Sequence, residues 1–100
     1  MVTKTKTPDE LLSEAAATFK QRNSVYGNQY LRFGSILEAM FPGGLTLETV
    51  DDFNRFTMFV NCLAKLSRYS VNLNRGGHKD SAHDLAVYAA MLEGMTDESN

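Results

Sequence analysis

The sequence predicts an all-α fold, a four-helix antiparallel bundle, on three observations. Four segments carry apolar residues at the three- and four-residue spacing of a helix face. No useful stretch alternates with the period of two that marks a half-buried strand. Short loops rich in Gly, Pro or Asn separate the segments, which favours helices that turn back on their neighbours. The 100 residues make one domain, residues 1–100, with flexible ends expected at 1–6 and 96–100.

The first helix opens at Thr7-Pro8-Asp9-Glu10, a threonine cap followed by proline at the first helical position and glutamate three residues after the cap. It is predicted from Pro8 to about Gln21, with Leu11, Leu12, Ala15, Ala16 and Phe19 as one apolar stripe; Arg22 to Gly27 then breaks the pattern. Asn28 to Met40 resumes it through Tyr30, Leu31, Phe33, Ile36, Leu37 and Met40, and Pro42-Gly43-Gly44 stops it. Thr46 or Thr49 caps a third helix reaching about Tyr69, with Asp51 and Asp52 near its positive end and Lys65 and Arg68 near its negative end. From Phe56 to Ala64 this helix carries no charge on any face, so it is expected to be surrounded. One chain of this length cannot enclose it, and a homo-oligomer, dimer or tetramer, is expected. After the loop from Val71 to Lys79, Asp80 or Ser81 caps a last helix to about Met95, with apolar faces from Leu85, Val87, Tyr88, Ala89, Met91 and Leu92.

Composition narrows the function classes. A net charge of −2 does not suit a protein whose whole surface grips nucleic acid or anionic lipid, so no nucleic-acid partner is expected and any basic site is local. No run approaches the roughly 18 apolar residues of a membrane span, the first residues lack the apolar core of a signal peptide, and no membrane partner is expected. Cys62 is the only cysteine, which removes an internal disulfide and a cysteine zinc cage and fits a reducing cytoplasm.

The informative stretch runs from Lys65 to Asp84. Lys65, Arg68, Arg75 and Lys79, with His78 beside them, meet no acid until Asp80, an anion site in outline within an acidic chain. Gly76-Gly77 leads toward the amino end of the last helix, where free N–H groups favour a phosphate. Asp80 and Asp84 stand one turn apart on that helix, a spacing that can hold Mg²⁺ through oxygen. The alternative makes Asp80 a helix cap and leaves Asp84 to pair with Lys65 or Arg68. Asn61, Lys65 and Arg68 share a face of the third helix, and Asn61, if buried in its apolar run, needs a hydrogen-bond partner or a ligand. Tyr26, before Gly27-Asn28, is placed to stack on a base.

Two fragments carry a resemblance: Arg22-x-x-x-Tyr26-Gly27, and Lys65-Leu66-x-Arg68 followed by His78-Lys79-Asp80-Ser81-x-x-Asp84-Leu85-Ala86-x-Tyr88-Ala89. Together they resemble phage and prophage proteins of the MazG-like group, within the all-α nucleoside triphosphate pyrophosphohydrolase superfamily. The resemblance spans roughly Phe19 to Leu92. It implies an oligomeric helical bundle in which Mg²⁺, held by acidic side chains, activates water to split a nucleoside triphosphate between its α and β phosphates. Asp80 and Asp84 match the acidic pair and are the expected catalytic metal ligands, with Glu38 or another subunit completing the set. Lys65, Arg68, Lys79, His78, Asn61, Tyr26 and Tyr88 are the expected ligand contacts. The superfamily's Glu-x-x-Glu pair is missing, since no acid occurs between Asp52 and Asp80. The alternative is therefore an inactive phage protein of the same fold that sequesters a nucleotide or binds a host protein, in the host cytoplasm.

Overall fold

The computed structural model describes residues 5–100. Among these the chain is all-helical, with four α-helices, two short 3-10 turns and no strand: α1 (Pro8–Tyr26), a turn at Gln29–Leu31, α2 (Phe33–Met40), α3 (Val50–Val71), a turn at Leu73–Arg75, and α4 (Lys79–Met95). Part of the expected flexible amino end lies outside the described residues.

Local chemistry accounts for the helix limits. Thr7 Oγ1 accepts the N–H of Glu10 and Pro8 takes the first turn of α1, as its capping sequence predicts. The helix does not stop near Gln21 but continues to Tyr26. Arg22–Tyr26 lacks an apolar stripe, yet it contains no breaker, and the chain turns only at Gly27, whose φ of 68° is open to glycine. The segment expected as one helix from Asn28 is a 3-10 turn followed by α2. At α3 the cap is Thr49: its Oγ1 accepts from Asp52 N, and the Asp52 carboxylate returns to the N–H groups of Thr49 and Glu48. At α4 the expected cap, Asp80 or Ser81, is replaced by His78, whose Nδ1 accepts the N–H of Ser81.

The most extensive contact is α3 against α4. Arg55 Nη1 donates to the carbonyl of Met95 and Lys65 Nζ pairs with Asp84, so residue numbers rise on one helix as they fall on the other: the two form an antiparallel hairpin. Phe56, Phe59, Leu63, Leu85, Tyr88 and Leu92 are half-buried. Arg55, anchored on Asp52 at 2.9 Å, puts a cation on the negative carboxyl end of α4. The expected bundle does not close within one chain. Every residue from 8 to 22 is exposed, and α1 meets α3 only near its carboxyl end. The radius of gyration is 17.9 Å, against about 13 Å for a compact chain of this length. Among the described residues no hydrophobic side chain is fully buried; the buried residues are Ser67, Asn72 and Ser81.

Gly77 fixes how the loop returns to α4. Its φ is +89°, its N–H donates to Asn72 O at 2.8 Å, and a β-carbon there would stand 2.5 Å from the Tyr69 hydroxyl. Gly77→Ala therefore adds a positive-φ penalty to a steric one and is expected to cost about 1–3 kcal/mol, seen as a lower thermal midpoint at fixed protein concentration. Asp52 supplies a second test. The N–H groups of Glu48 and Thr49, with help from Thr49 Oγ1 and Arg55, hold its carboxyl below the usual carboxylate range. A depressed folded value means that the stabilisation is complete above the unfolded carboxylate value of about 4 and is lost as pH falls through the lowered folded one. Asp52→Asn should lower the midpoint at neutral pH and flatten its share of the acid limb in a pH series of melts.

Candidate functional site

Extending α1 to Tyr26 brings Phe19, Arg22, Asn23 and Tyr26 onto one face, because they recur at three- and four-residue intervals. That face meets Gly27, Tyr30 and Arg68 around a cleft of about 370 Å³, within the range of roughly 300–1,000 Å³ typical of small-ligand sites. Two guanidinium groups and three aromatic rings line it, and among the described residues no carboxylate does.

Arg68 sits centrally. Its Cζ lies 4.8 Å from the centre of the Tyr26 ring, a cation–π contact, and His78 approaches the same ring edge-on at 5.8 Å. The Nε of Arg68 is enclosed and has no hydrogen-bond partner within the protein, and the same holds for Asn23 Oδ1. Unpaired enclosed polar atoms are uncommon in folded chains and ask for a partner. Phe19 and Tyr30 form an edge-to-face pair at 5.9 Å and give the cleft an apolar wall.

Asn72 holds the cleft together. This buried side chain donates through Nδ2 to Val25 O at 3.3 Å and to Arg68 O at 3.0 Å, tying the last turn of α1 to the last turn of α3. The main-chain carbonyl of Asn72 accepts from Arg75 N and Gly77 N. Gly27 completes the joint, where an added β-carbon would already be 3.4 Å from Val71.

The remaining expected site residues lie in a different arrangement. Lys65 Nζ pairs with Asp84 Oδ2 at 3.2 Å and stands 5.6 Å from the centre of the Tyr88 ring, so these three form a cross-helix strut between α3 and α4. Asp84 is not among the residues around the cleft that holds Arg68. The convergence of Arg68 and Asp84 on one pocket, which the sequence led us to expect, is not found, because Lys65 takes the carboxylate. Lys79 and Asp80 are exposed on the first turn of α4, and Asn61 is exposed rather than buried in its apolar run. His78 is spent as a cap, 2.6 Å from Ser81 Oγ, and borders the cleft only through Tyr26. Tyr26 has one face covered by Arg68, which leaves Phe19 and Tyr30 as the rings open to a base.

The expected Mg²⁺ site does not fit the residues of one chain. Glu38 is exposed on α2, and among the described residues no three His, Cys, Asp or Glu side chains come together as ligands. Two carboxylates, one of them ion-paired to a lysine, are a poor cage for a hard cation.

Arg22, Asn23, Phe19, Tyr30 and Asn72 were not among the expected site residues. The signal for the first three was present: Arg22, Asn23 and Tyr26 continue the register of Phe19 once the helix is carried past Gln21. Comparison with family models, curated proteins and solved structures returns no match. No described helix is long and apolar enough to cross a membrane.

Asn72→Ala removes both bonds that Nδ2 makes and leaves partly buried carbonyls without their donor. It is expected to cost about 1–3 kcal/mol. The same variant should quicken amide exchange in Val25–Gly27, as measured by hydrogen–deuterium exchange.

Proposed function

We propose that this protein binds a nucleotide or a similar phosphate-bearing aromatic molecule in the Arg22/Arg68/Tyr26 cleft, without metal-dependent hydrolysis by the single chain. The observation that carries the reading is the pairing of two guanidinium groups with an apolar aromatic wall in a cleft that lacks any carboxylate. Planar guanidinium donors suit phosphate oxygens, and among the described residues the Arg68 guanidinium lies against the Tyr26 ring and is in no ion pair with a carboxylate. Phe19 and Tyr30 offer rings against which a base can pack. The resemblance of the Arg22-x-x-x-Tyr26-Gly27 fragment to the MazG-like group agrees with this ligand class. The missing third carboxylate, and the capture of Asp84 by Lys65, favour sequestration over turnover.

Calorimetric titration of the purified protein with nucleoside mono-, di- and triphosphates tests it. Saturable binding that persists without Mg²⁺ is expected. Arg68→Met should weaken it at least tenfold, in line with about 1.5–3 kcal/mol for a charged hydrogen bond, and Arg68→Lys should recover only part, since an ammonium does not stack on Tyr26. Pyrophosphate release that requires Mg²⁺ and disappears in Asp84→Ala would replace this reading with a hydrolase.

A further inference from the structure

His78 is pinned from three directions. Its Nδ1 accepts the N–H of Ser81 at 3.3 Å and stands 2.6 Å from Ser81 Oγ, and Ser81 itself is buried. Its main-chain carbonyl accepts from Ala82 N at 3.1 Å. The residue before it, Gly77, donates to Asn72 O at 2.8 Å and lies against Tyr69, so the chain arrives at His78 along a fixed path. A cap needs nothing of the imidazole beyond Nδ1, since Ser, Thr, Asn and Asp cap helices with shorter side chains. The rest of the ring is free for a second use.

That use is visible at Tyr26. The His78 ring stands almost perpendicular to the Tyr26 ring, at 85° and 5.8 Å between centres, a favourable aromatic geometry. Arg68 covers the Tyr26 ring at 4.8 Å. Asn72 ties the main chain nearby through Val25 O, but that bond does not hold the Tyr26 ring, which belongs to the last residue of α1 before the turn at Gly27. Among the described residues Arg68 is in no ion pair, so the Tyr26 ring is the partner that directs its guanidinium. We propose that His78 is a positioning residue for the cleft: the nitrogen that caps α4 fixes the imidazole, the imidazole fixes the Tyr26 ring, and that ring sets the place of Arg68.

This run of contacts makes the start of α4 and the cleft one coupled unit. A ligand that holds Tyr26 and Arg68 more tightly must firm the first turn of α4 by the same free energy, since linkage is reciprocal. Occupancy of the cleft is therefore expected to slow exchange of the Ser81 amide, although Ser81 is not among the residues around the cleft. Histidine at this cap has a role that aspartate or serine could not fill, because neither carries a ring. The effect on ligand affinity rests on the reading of the cleft as a nucleotide site; the hold on Tyr26 and Arg68 does not.

Nuclear magnetic resonance of the full chain separates the two uses of the imidazole. His78→Asn keeps a capping oxygen and removes the ring. The Ser81 amide should stay as protected as in the unmodified chain, while the enclosed Arg68 Nε–H exchanges with water roughly two- to tenfold faster, the range that one aromatic pair supplies. Once Tyr26→Leu has been introduced, His78→Asn should have no further effect on that signal. An Arg68 Nε–H unchanged by His78→Asn, or changed equally with and without Tyr26, overturns the proposal and makes His78 a cap alone. His78→Ser, which also caps, decides on the same signals if the asparagine variant does not fold. Calorimetric titration with adenosine triphosphate reads the affinity: the Kd of His78→Asn should be roughly two- to tenfold above that of the unmodified chain, and an equal Kd overturns the proposal. No binding by the unmodified chain overturns the nucleotide reading instead, and the exchange rates without ligand then decide the role of His78.

Discussion

The α3–α4 hairpin is the constraint on which the other parts depend, because among the described residues it is the only pair of helices in extensive contact. Polar fastenings hold it at both ends. Arg55 links the amino end of α3 to the last carbonyl of α4, while Asn72, Gly77 and His78 set the return at the other end. The hydrophobic side chains between are only half-buried, so the hydrophobic term, normally the largest favourable one, is incompletely collected by a single chain. Fastenings of this type specify register more than they add net stability. They make the hairpin a defined platform for α1 and α2.

The hairpin separates two clusters of charge that share α3. One turn of helix lies between Lys65 and Arg68, yet their surroundings give them opposite roles. Lys65 leans across to α4, where Asp84 neutralises it and Tyr88 flanks it. Arg68 turns to α1, where Tyr26 supports its guanidinium plane without cancelling its charge. An aromatic partner leaves the donor edges of a guanidinium available, whereas a carboxylate occupies them. That difference leaves a positive charge uncancelled by a carboxylate beside the last turn of α1 and makes the Lys65–Asp84 pair a structural strut.

Features coded within a few residues were legible in the sequence, and those that depend on distant contacts were not. Thr7-Pro8 and Thr49 with Asp52 announce helix starts because a cap needs only its own first turn. The end of α1 is not legible in this way, since the apolar stripe stops before Arg22 while the helix runs on to Tyr26 with Arg22, Asn23 and Tyr26 lining a cleft. The role of Asn72 depends on Val25, which is remote in sequence, and no local pattern marks it. His78 takes the place of the expected cap, Asp80 or Ser81, after a positive-φ turn at Gly77 that lies against Tyr69. Lys65, Arg68 and Asp84 stand out in the sequence as charged residues near the α3–α4 turn, and the choice between Lys65 and Arg68 as partner of Asp84 is made only in three dimensions. The uncharged length from Phe56 to Ala64 is mostly half-buried, with Thr57 and Asn61 exposed, while the exposed Val50 and Phe53 precede it and flank Asp51 and Asp52.

Phe19 belongs to two surfaces at once: it ends the open stripe of α1 and forms a wall of the cleft, against Tyr30. The position of this one ring therefore enters the shape of both the cleft and the outer face of α1. Where two binding events both depend on the position of that ring, thermodynamic reciprocity makes the effect of either on the other equal in size.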